Sequence, residues 1–478
     1  MKRKSITSNY IYNLAYQLIL ILIPLFTTPY LTRVLGAKNL GIYSYTYSIV
    51  TIFFILSTLG IHTYGQREIA YVQDDRKKVS KLFWELFSIK ILSTIFAAIL
   101  LLIFSYITSD YSIYYKIFLI YVIANLFDIT WLYQGIEDFK NVTIRNIIVK
   151  FLYLISIFIF IRKNTDLRIY ILLFSLSTLF TNISFWINLN KIVNKIEIKS
   201  LNLKKHFKLI ISFFIPQIAA LIYTVLDKTM IGIIVPNISN VSFYEQASYI
   251  DKTILTLITT MGTVMISRVS YSFEKKDYSL IKEYMIKVIN FVWLFGCALS
   301  FGVCAIIRNV VPWFYGSEYI PVIPLVYTMS SLIIIVGLNN IIGVQFLAST
   351  KQQNKYIISV LSGAFFNFIL NLILISKMGA VGAAIASVIA ELFILLLELY
   401  FVRNFITIFD ILEPSVKYII FGIIMFIITY LSGNILGATI YSTILQITVG
   451  IFTYLILLIL SKDEFSYKHI FSKLKRRD

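Results

Sequence analysis

The sequence predicts an all-α integral membrane protein of about fourteen transmembrane helices, arranged as two six-helix lobes and two C-terminal helices, with both termini cytoplasmic. Three observations carry that expectation. Of 478 residues, 58% are hydrophobic and only 14% charged, and the mean hydropathy is +0.82, well above the roughly half-apolar makeup of soluble domains. Apolar runs of about 20 residues, the length a hydrocarbon core about 30 Å thick demands, recur along the whole chain. Lysine and arginine cluster in alternate connections between those runs.

The runs lie near 9–31, 42–63, 82–107, 115–134, 146–161, 169–189, 208–230, 245–267, 285–307, 320–348, 356–376, 380–402, 416–433 and 439–461. Helix is the spanning element, because a lipid-facing backbone must satisfy its own hydrogen bonds and the alternation of barrel strands is absent. The start, "MKRKSITSNYIYNLAYQLILILIPLF", has basic first residues as a signal peptide does. Its apolar part is too long and lacks a small-residue cleavage site, so it reads as a retained first span.

With a cytoplasmic N-terminus, 32 of the 43 Lys and Arg fall in cytoplasmic segments, 8 in outer ones, and Lys90, Lys228 and Lys252 inside spans. That asymmetry follows the positive-inside rule. It also accounts for the net charge of +19 without nucleic acid, since no long basic patch or recognition motif is present.

A weak repeat at an offset of 201 residues aligns "GIYSYTYSI" (Gly41 to Ile49) with "SFYEQASYI" (Ser242 to Ile250). In each copy an arginine follows the shared tyrosine by 24 residues, Tyr43 to Arg67 and Tyr244 to Arg268. An offset covering six helices keeps both copies in one orientation, the parallel-repeat plan of transporters. The expected division is 1–200, 201–403 and 404–478, the last holding helices 13 and 14 and a basic tail, with "NKIVNKIEIKSLNLKKHFK" linking the lobes.

A charge at the bilayer centre costs roughly 2.5 to 3.5 kcal/mol, so each one should face protein, water or a partner. Lys90, Asp128, Asp227, Lys228, Glu245, Asp251, Lys252, Glu391 and Glu398 fall within the spans. Snorkelling or a structural ion pair accounts equally well for Lys90, Glu245 and Glu398. Asp227 and Lys228, in "IYTVLDKTMIG", point about 100° apart on a helix, so one can line a cavity while the other meets a neighbour. Cations occur in or beside both lobes: Arg33, Arg67 and Lys90, then Lys228, Lys252 and Arg268. If they converge, the cavity between lobes attracts an anion, and phosphate suits it. Pro24 and Pro29 in helix 1 and Pro216 in helix 7 are hinge candidates, static kinks being the equal alternative.

Several chemistries are missing from the pattern. His62, His206 and His469 are far apart, and Cys297 and Cys304 share one helix about 10.5 Å apart in rise, beyond disulfide reach, so no metal site, cofactor or bridge is expected. No phosphate-binding G-x-x-x-x-G-K loop occurs, and no nucleophile, base and acid cluster marks a catalytic site.

Four stretches, "PLFTTPYLTRVLGAKNLGIYSY" (Pro24 to Tyr45), "LDKTMIG" (Leu226 to Gly232), "WFYGSEYIPVIPLV" (Trp313 to Val326) and "NFILNLILISKMGAVGAAIASVIAEL" (Asn367 to Leu392), occur in order along the chain. In this combination the chain resembles the bacterial polysaccharide-unit flippases, which export O-antigen and capsule repeat units, of the multidrug, oligosaccharidyl-lipid and polysaccharide exporter superfamily. The resemblance implies a fourteen-helix, two-lobed carrier in the bacterial plasma membrane that moves an oligosaccharide on undecaprenyl diphosphate to the outer leaflet. It marks Arg33, and Asp227 with Lys228, as functional positions. Lys228 is the better choice for meeting diphosphate, whereas Lys90, Lys252, Arg67 and Arg268 rest on the charge argument. Asp227, Asp128, Asp251 and Glu391 are candidates for ion coupling or charge balance. Implied partners are the lipid-linked oligosaccharide, membrane lipids, an H+ or Na+ coupling ion, and polymerase and assembly machinery, with no nucleic acid. The competing readings are a cation-coupled drug antiporter of the same superfamily, typically with twelve helices, and a membrane enzyme such as a repeat-unit polymerase, for which the outer loops are short.

Overall fold

A computed structural model describes residues 22–196, 201–435, 437–463 and 465, without the side chains of 139, 215–217, 219–224, 260–264 and 267. Among the described residues the chain is helical with no strand. Among these residues ten helices are long and apolar enough to cross a membrane. They stand where spans 2–6 and 9–14 are expected, one fifty-residue run, Gln353–Val402, covering two of them. The expected first span lies largely outside the described residues. Its described part is α1, residues 22–34, which stays helical through Pro24 and Pro29.

The first compact unit comprises residues Met1–Gly232 and Asn237–Val241. After α1 it contains α2 (Gly36–Thr58), α3 (Ile61–Val72), α4 (Arg76–Ile107), α5 (Ser112–Ala124), α6 (Thr130–Gly135), α7 (Phe139–Phe160), α8 (Leu167–Ser184) and most of α9 (Lys204–Ile234). Gly60, with φ 75°, turns α2 into α3, a backbone state glycine enters without a Cβ penalty. α2 packs on α4, α5 and α8, α3 on α4 and α6, and α7 on α8. Trp131, Tyr64 and Phe83 form the buried centre of one cluster. A Cβ on Gly65 would meet the Trp131 ring at 2.7 Å, so glycine is what admits the indole. α9 closes onto α2: Thr229 Oγ1 lies 2.8 Å from Ser48 Oγ, and Gly232 lies flat against the Tyr45 ring. Residues 201–232, assigned from sequence to the second lobe, thus pack within this unit.

Asp75 begins α4, its carboxylate accepting from the N–H groups of Lys77 at 2.9 Å and Lys78 at 3.2 Å, as an N-cap does. The Lys78 and Lys77 amides hold this carboxyl below its usual range. The cap therefore contributes at neutral pH and is lost as pH falls through the lowered value. Asp75→Ala is expected to speed hydrogen exchange at Lys77 and Lys78 and to leave the melting temperature nearly unchanged. Unaltered protection would show that the cap adds nothing.

The second unit comprises Ile233–Pro236 and Ser242–Asp478. It holds most of α10 (Ser239–Glu274), α11 (Tyr278–Phe314), α12 (Val322–Met329), α13 (Leu332–Asn339), a nine-residue π-helix (Asn340–Ala348), α14 (Gln353–Val402), α15 (Ile408–Leu412), α16 (Ser415–Ser432) and α17 (Ile440–Leu460). α14 is two helices joined at Gly379, whose φ of 58° and ψ of −137° are non-helical. α16 and α17 pack on α11. Polar side chains tie them there. Asn309 Nδ2 donates to Gly433 O at 2.8 Å, Trp313 Nε1 to Thr443 Oγ1 at 2.8 Å, and Tyr454 Oη to Leu294 O at 2.8 Å. In an apolar medium such bonds hold helices together where burial of apolar surface cannot.

Candidate functional site

In the first unit, each charge expected to be costly has been given a setting. Lys90 on α4 is buried and donates to the carbonyl of Asp128, with its Nζ 3.9 Å from the Asp128 carboxylate. Asp128 in turn accepts from Thr130 N at 2.9 Å, opening α6. This pair is the structural alternative weighed for Lys90. Arg67 on α3 pairs with Glu68 at 2.7 Å and lies over the rings of Phe213, Tyr64 and Tyr71. Arg33 is exposed on α1 and its Nη1 donates to Pro29 O at 2.9 Å, the carbonyl one turn earlier. Asp227 is buried and Lys228 half-buried on α9, two turns or less from the contacts that seat this helix on α2. Pro216 lies within α9, and its side chain is outside the described residues.

The second unit gathers acids. Asp251 on α10 is buried, within electrostatic range of Lys252 and Glu391, and its Oδ1 has no hydrogen-bond partner among the described residues. Glu391 on α14 is buried and accepts from Asn339 Nδ2 at 2.5 Å, where α13 gives way to the π-helix. Two turns further, fully buried Glu398 accepts from Ser359 Oγ at 2.9 Å and abuts Gly343 of the π-helix. π-Helices free backbone groups and recur at functional sites. Lys252 and Arg268 are exposed, the latter over the Tyr284 ring.

Two groups escaped the sequence reading. Glu85 on α4 is buried and is met by Asn202 N at 2.9 Å, Lys205 Nζ at 2.8 Å and His206 Nε2 at 3.0 Å, while Tyr64 Oη lies 2.7 Å from His206 Nδ1. A cavity of about 420 Å³ opens beside this cluster, lined among others by Lys78, Lys81 and Lys205. Its signal, a glutamate inside a predicted span, was present. Lys150 is the other: expected in a cytoplasmic connection, it stands midway along α7. No group of three or more His, Cys, Asp or Glu suited to a metal occurs among the described residues.

Residues 6–271 match the sequence profile of a family described as "Polysaccharide biosynthesis protein". A protein of Escherichia coli K12 described as an O-antigen transporter is 23% identical over 411 residues, covering 84% of this chain and 97% of that protein. A second so described, from Shigella dysenteriae, is 22% identical, covering 80% of this chain and 96% of that protein. Among solved structures, the lipid II flippase MurJ in an inward closed conformation superposes with a TM-score of 0.77 at 18% identity, over 95% of this chain and 99% of MurJ. An inward-facing multidrug resistance MATE transporter of the MOP superfamily gives 0.63 at 13%, over 83% of this chain and 94% of that one. At these identities the two likenesses establish the fold.

Proposed function

This chain belongs to the polysaccharide biosynthesis protein family, and on that premise we propose that it is a flippase for oligosaccharide repeat units carried on undecaprenyl diphosphate. It would move them from the cytoplasmic to the outer leaflet of the bacterial plasma membrane by alternating access, feeding polymerase and assembly machinery. The observation that carries the reading is that relatives described as O-antigen transporters align over 84% and 80% of the chain and nearly their whole length. The MurJ-like fold, covering 95% of the chain, is compatible with a lipid-borne cargo.

Within this proposal Arg33 and Lys228 meet the diphosphate, since cations bind phosphate through charge-assisted hydrogen bonds. Asp128 is committed to Lys90 and Thr130, so ion coupling falls to the buried acids Asp251 and Glu391, with Asp227 balancing Lys228. Reconstitution in liposomes with a labelled lipid-linked repeat unit tests the function directly. Leaflet exchange, accelerated by a proton or sodium gradient, is the expected result. Arg33→Ala and Lys228→Ala should each slow it about tenfold or more, the size of one lost charge-assisted bond. In cells the same variants should block surface polymer and leave lipid-linked units on the cytoplasmic leaflet. Gradient-driven drug efflux without lipid exchange would instead favour the antiporter reading. Single units stranded on the outer surface would point to a polymerase.

A further inference from the structure

Lys150 stands at the twelfth position of the 22-residue helix α7, about 16 Å of rise from either end. A charge inside a membrane-spanning helix is costly, and a lysine stem is too short to reach either end of this one. The neighbouring charges do not offset the cost, because no carboxylate pairs with Lys150 among the described residues. Its one described polar-aromatic neighbour is Tyr153, whose ring centroid lies 5.7 Å from Nζ, near the outer limit of a cation–π contact and worth too little to explain the residue.

Tyr153 opens onto a wall of rings contributed by four helices of the first unit. Its hydroxyl is within electrostatic reach of Tyr170 of α8, and Tyr170 packs on Tyr43 of α2 at 4.8 Å between centroids. Tyr43 stacks on Tyr47 at 5.7 Å. Tyr47 Oη lies 3.3 Å from Tyr121 Oη of α5, and Phe174 closes the wall against Tyr47 at 5.4 Å and Tyr153 at 6.5 Å. Tyr43, Tyr47, Tyr153, Phe174 and Lys150 itself keep part of their surface accessible rather than being sealed in the core. A purely structural aromatic core would place phenylalanine or leucine here, because each buried hydroxyl needs a partner. Rings that also carry hydroxyls suit the flat faces and hydroxyl rims of sugars, and an unpaired cation suits an anion attached to them.

We propose that Lys150 with Tyr153, Tyr170, Tyr43 and Tyr47 forms a subsite inside the first unit that takes an anionic glycan, the cation holding its charge and the tyrosines its sugar rings. The inference rests on the flippase reading and names the part of the chain that grips the cargo. The anion is either the diphosphate of the lipid carrier or a carboxylate of an acidic sugar.

The test uses the full chain, in liposomes for leaflet exchange and in detergent for binding, with two labelled probes. One is a polyprenyl diphosphate bearing a neutral oligosaccharide, the other the same lipid bearing a uronic-acid oligosaccharide. Lys150→Met should lower exchange and binding about tenfold, as for one lost charge-assisted bond, while the melting temperature stays level or rises because a charge within a membrane-spanning helix has been removed. Lys150→Arg should restore most of the loss, and Tyr153→Phe should weaken binding about threefold. A Lys150→Met defect with both probes assigns the anion to the diphosphate, and a defect confined to the acidic probe assigns it to the sugar. Wild-type exchange and binding in Lys150→Met would overturn the subsite and leave the flippase reading intact. So would a fall in melting temperature shared by Lys150→Met and Lys150→Arg, which marks a structural lysine. Failure of the wild-type chain to exchange either probe would remove the flippase reading instead, and binding in detergent still decides whether Lys150 meets an anion.

Discussion

Gly382→Ala is expected to destabilise the folded chain strongly. A Cβ at this position would lie 2.1 Å from the carbonyl oxygen of Leu374 and 2.5 Å from its carbon. Both are backbone atoms, so no rotamer change relieves the contact and the two halves of α14 must separate. Overpacking in a close-packed interior costs about 3 kcal/mol when it forces such a shift, a large part of a typical net stability of about 5 to 15 kcal/mol. Gly379, four residues before Ala383, is constrained differently: its φ of 58° and ψ of −137° are reached freely only by glycine, so Gly379→Ala should cost about 1 to 3 kcal/mol. Gly302→Ala is the control. Its Cβ would meet nothing nearer than Met425 Cε at 3.8 Å, and alanine is the better helix former, so it should match or exceed the parent. Monodispersity and melting of detergent extracts report all three. A Gly382→Ala chain that elutes and melts like the parent would contradict the close crossing.

Glu85→Ala should damage the first unit strongly. One buried carboxylate receives Asn202 N, Lys205 and His206, and His206 is buried between it and Tyr64. Deleting the acceptor frees the part-buried Asn202 N–H and strands a buried imidazole, which should cost about 3 kcal/mol. Lys205→Ala removes a partner that is half exposed, so it should cost at most about 1 kcal/mol. The physical consequence reaches beyond stability, because this cluster ties the start of α9 to α4 within the first unit. In Glu85→Ala, hydrogen exchange should rise from residue 201 through the first turns of α9 before it rises elsewhere. Equal melting of Glu85→Ala and Lys205→Ala would show that the buried carboxylate is not the anchor.

Much of the fold was legible because membrane insertion acts on local composition. Runs of about 20 apolar residues, counted without tertiary information, locate ten helices that are long and apolar enough to span. The stretch "NFILNLILISKMGAVGAAIASVIAEL" was recognisable as a motif, and the structure supplies its reason: Gly379 turns the backbone and Gly382 admits Leu374. The charges were harder to read. Lys90 and Asp128 are 38 residues apart, and no periodicity marks them as partners. Lys150 was counted with the basic residues of the cytoplasmic connection although it falls inside the apolar run 146–161, and α7, beginning at Phe139, places it midway along a helix. Glu85 drew no notice because its partners lie more than a hundred residues away.

The sequence by itself determined the solvent of this protein, the helical spans 2–6 and 9–14, their alternation of charge and its family, since each follows from short-range composition or from aligned residues. Only the tertiary structure decided which cation is neutralised by which acid, that α9 packs with the first unit, and that Lys150, midway along α7, lies beside the Tyr153 ring. Those outcomes depend on which helix faces meet, and in a chain whose helices are apolar almost all round, no pattern along one helix announces its neighbour.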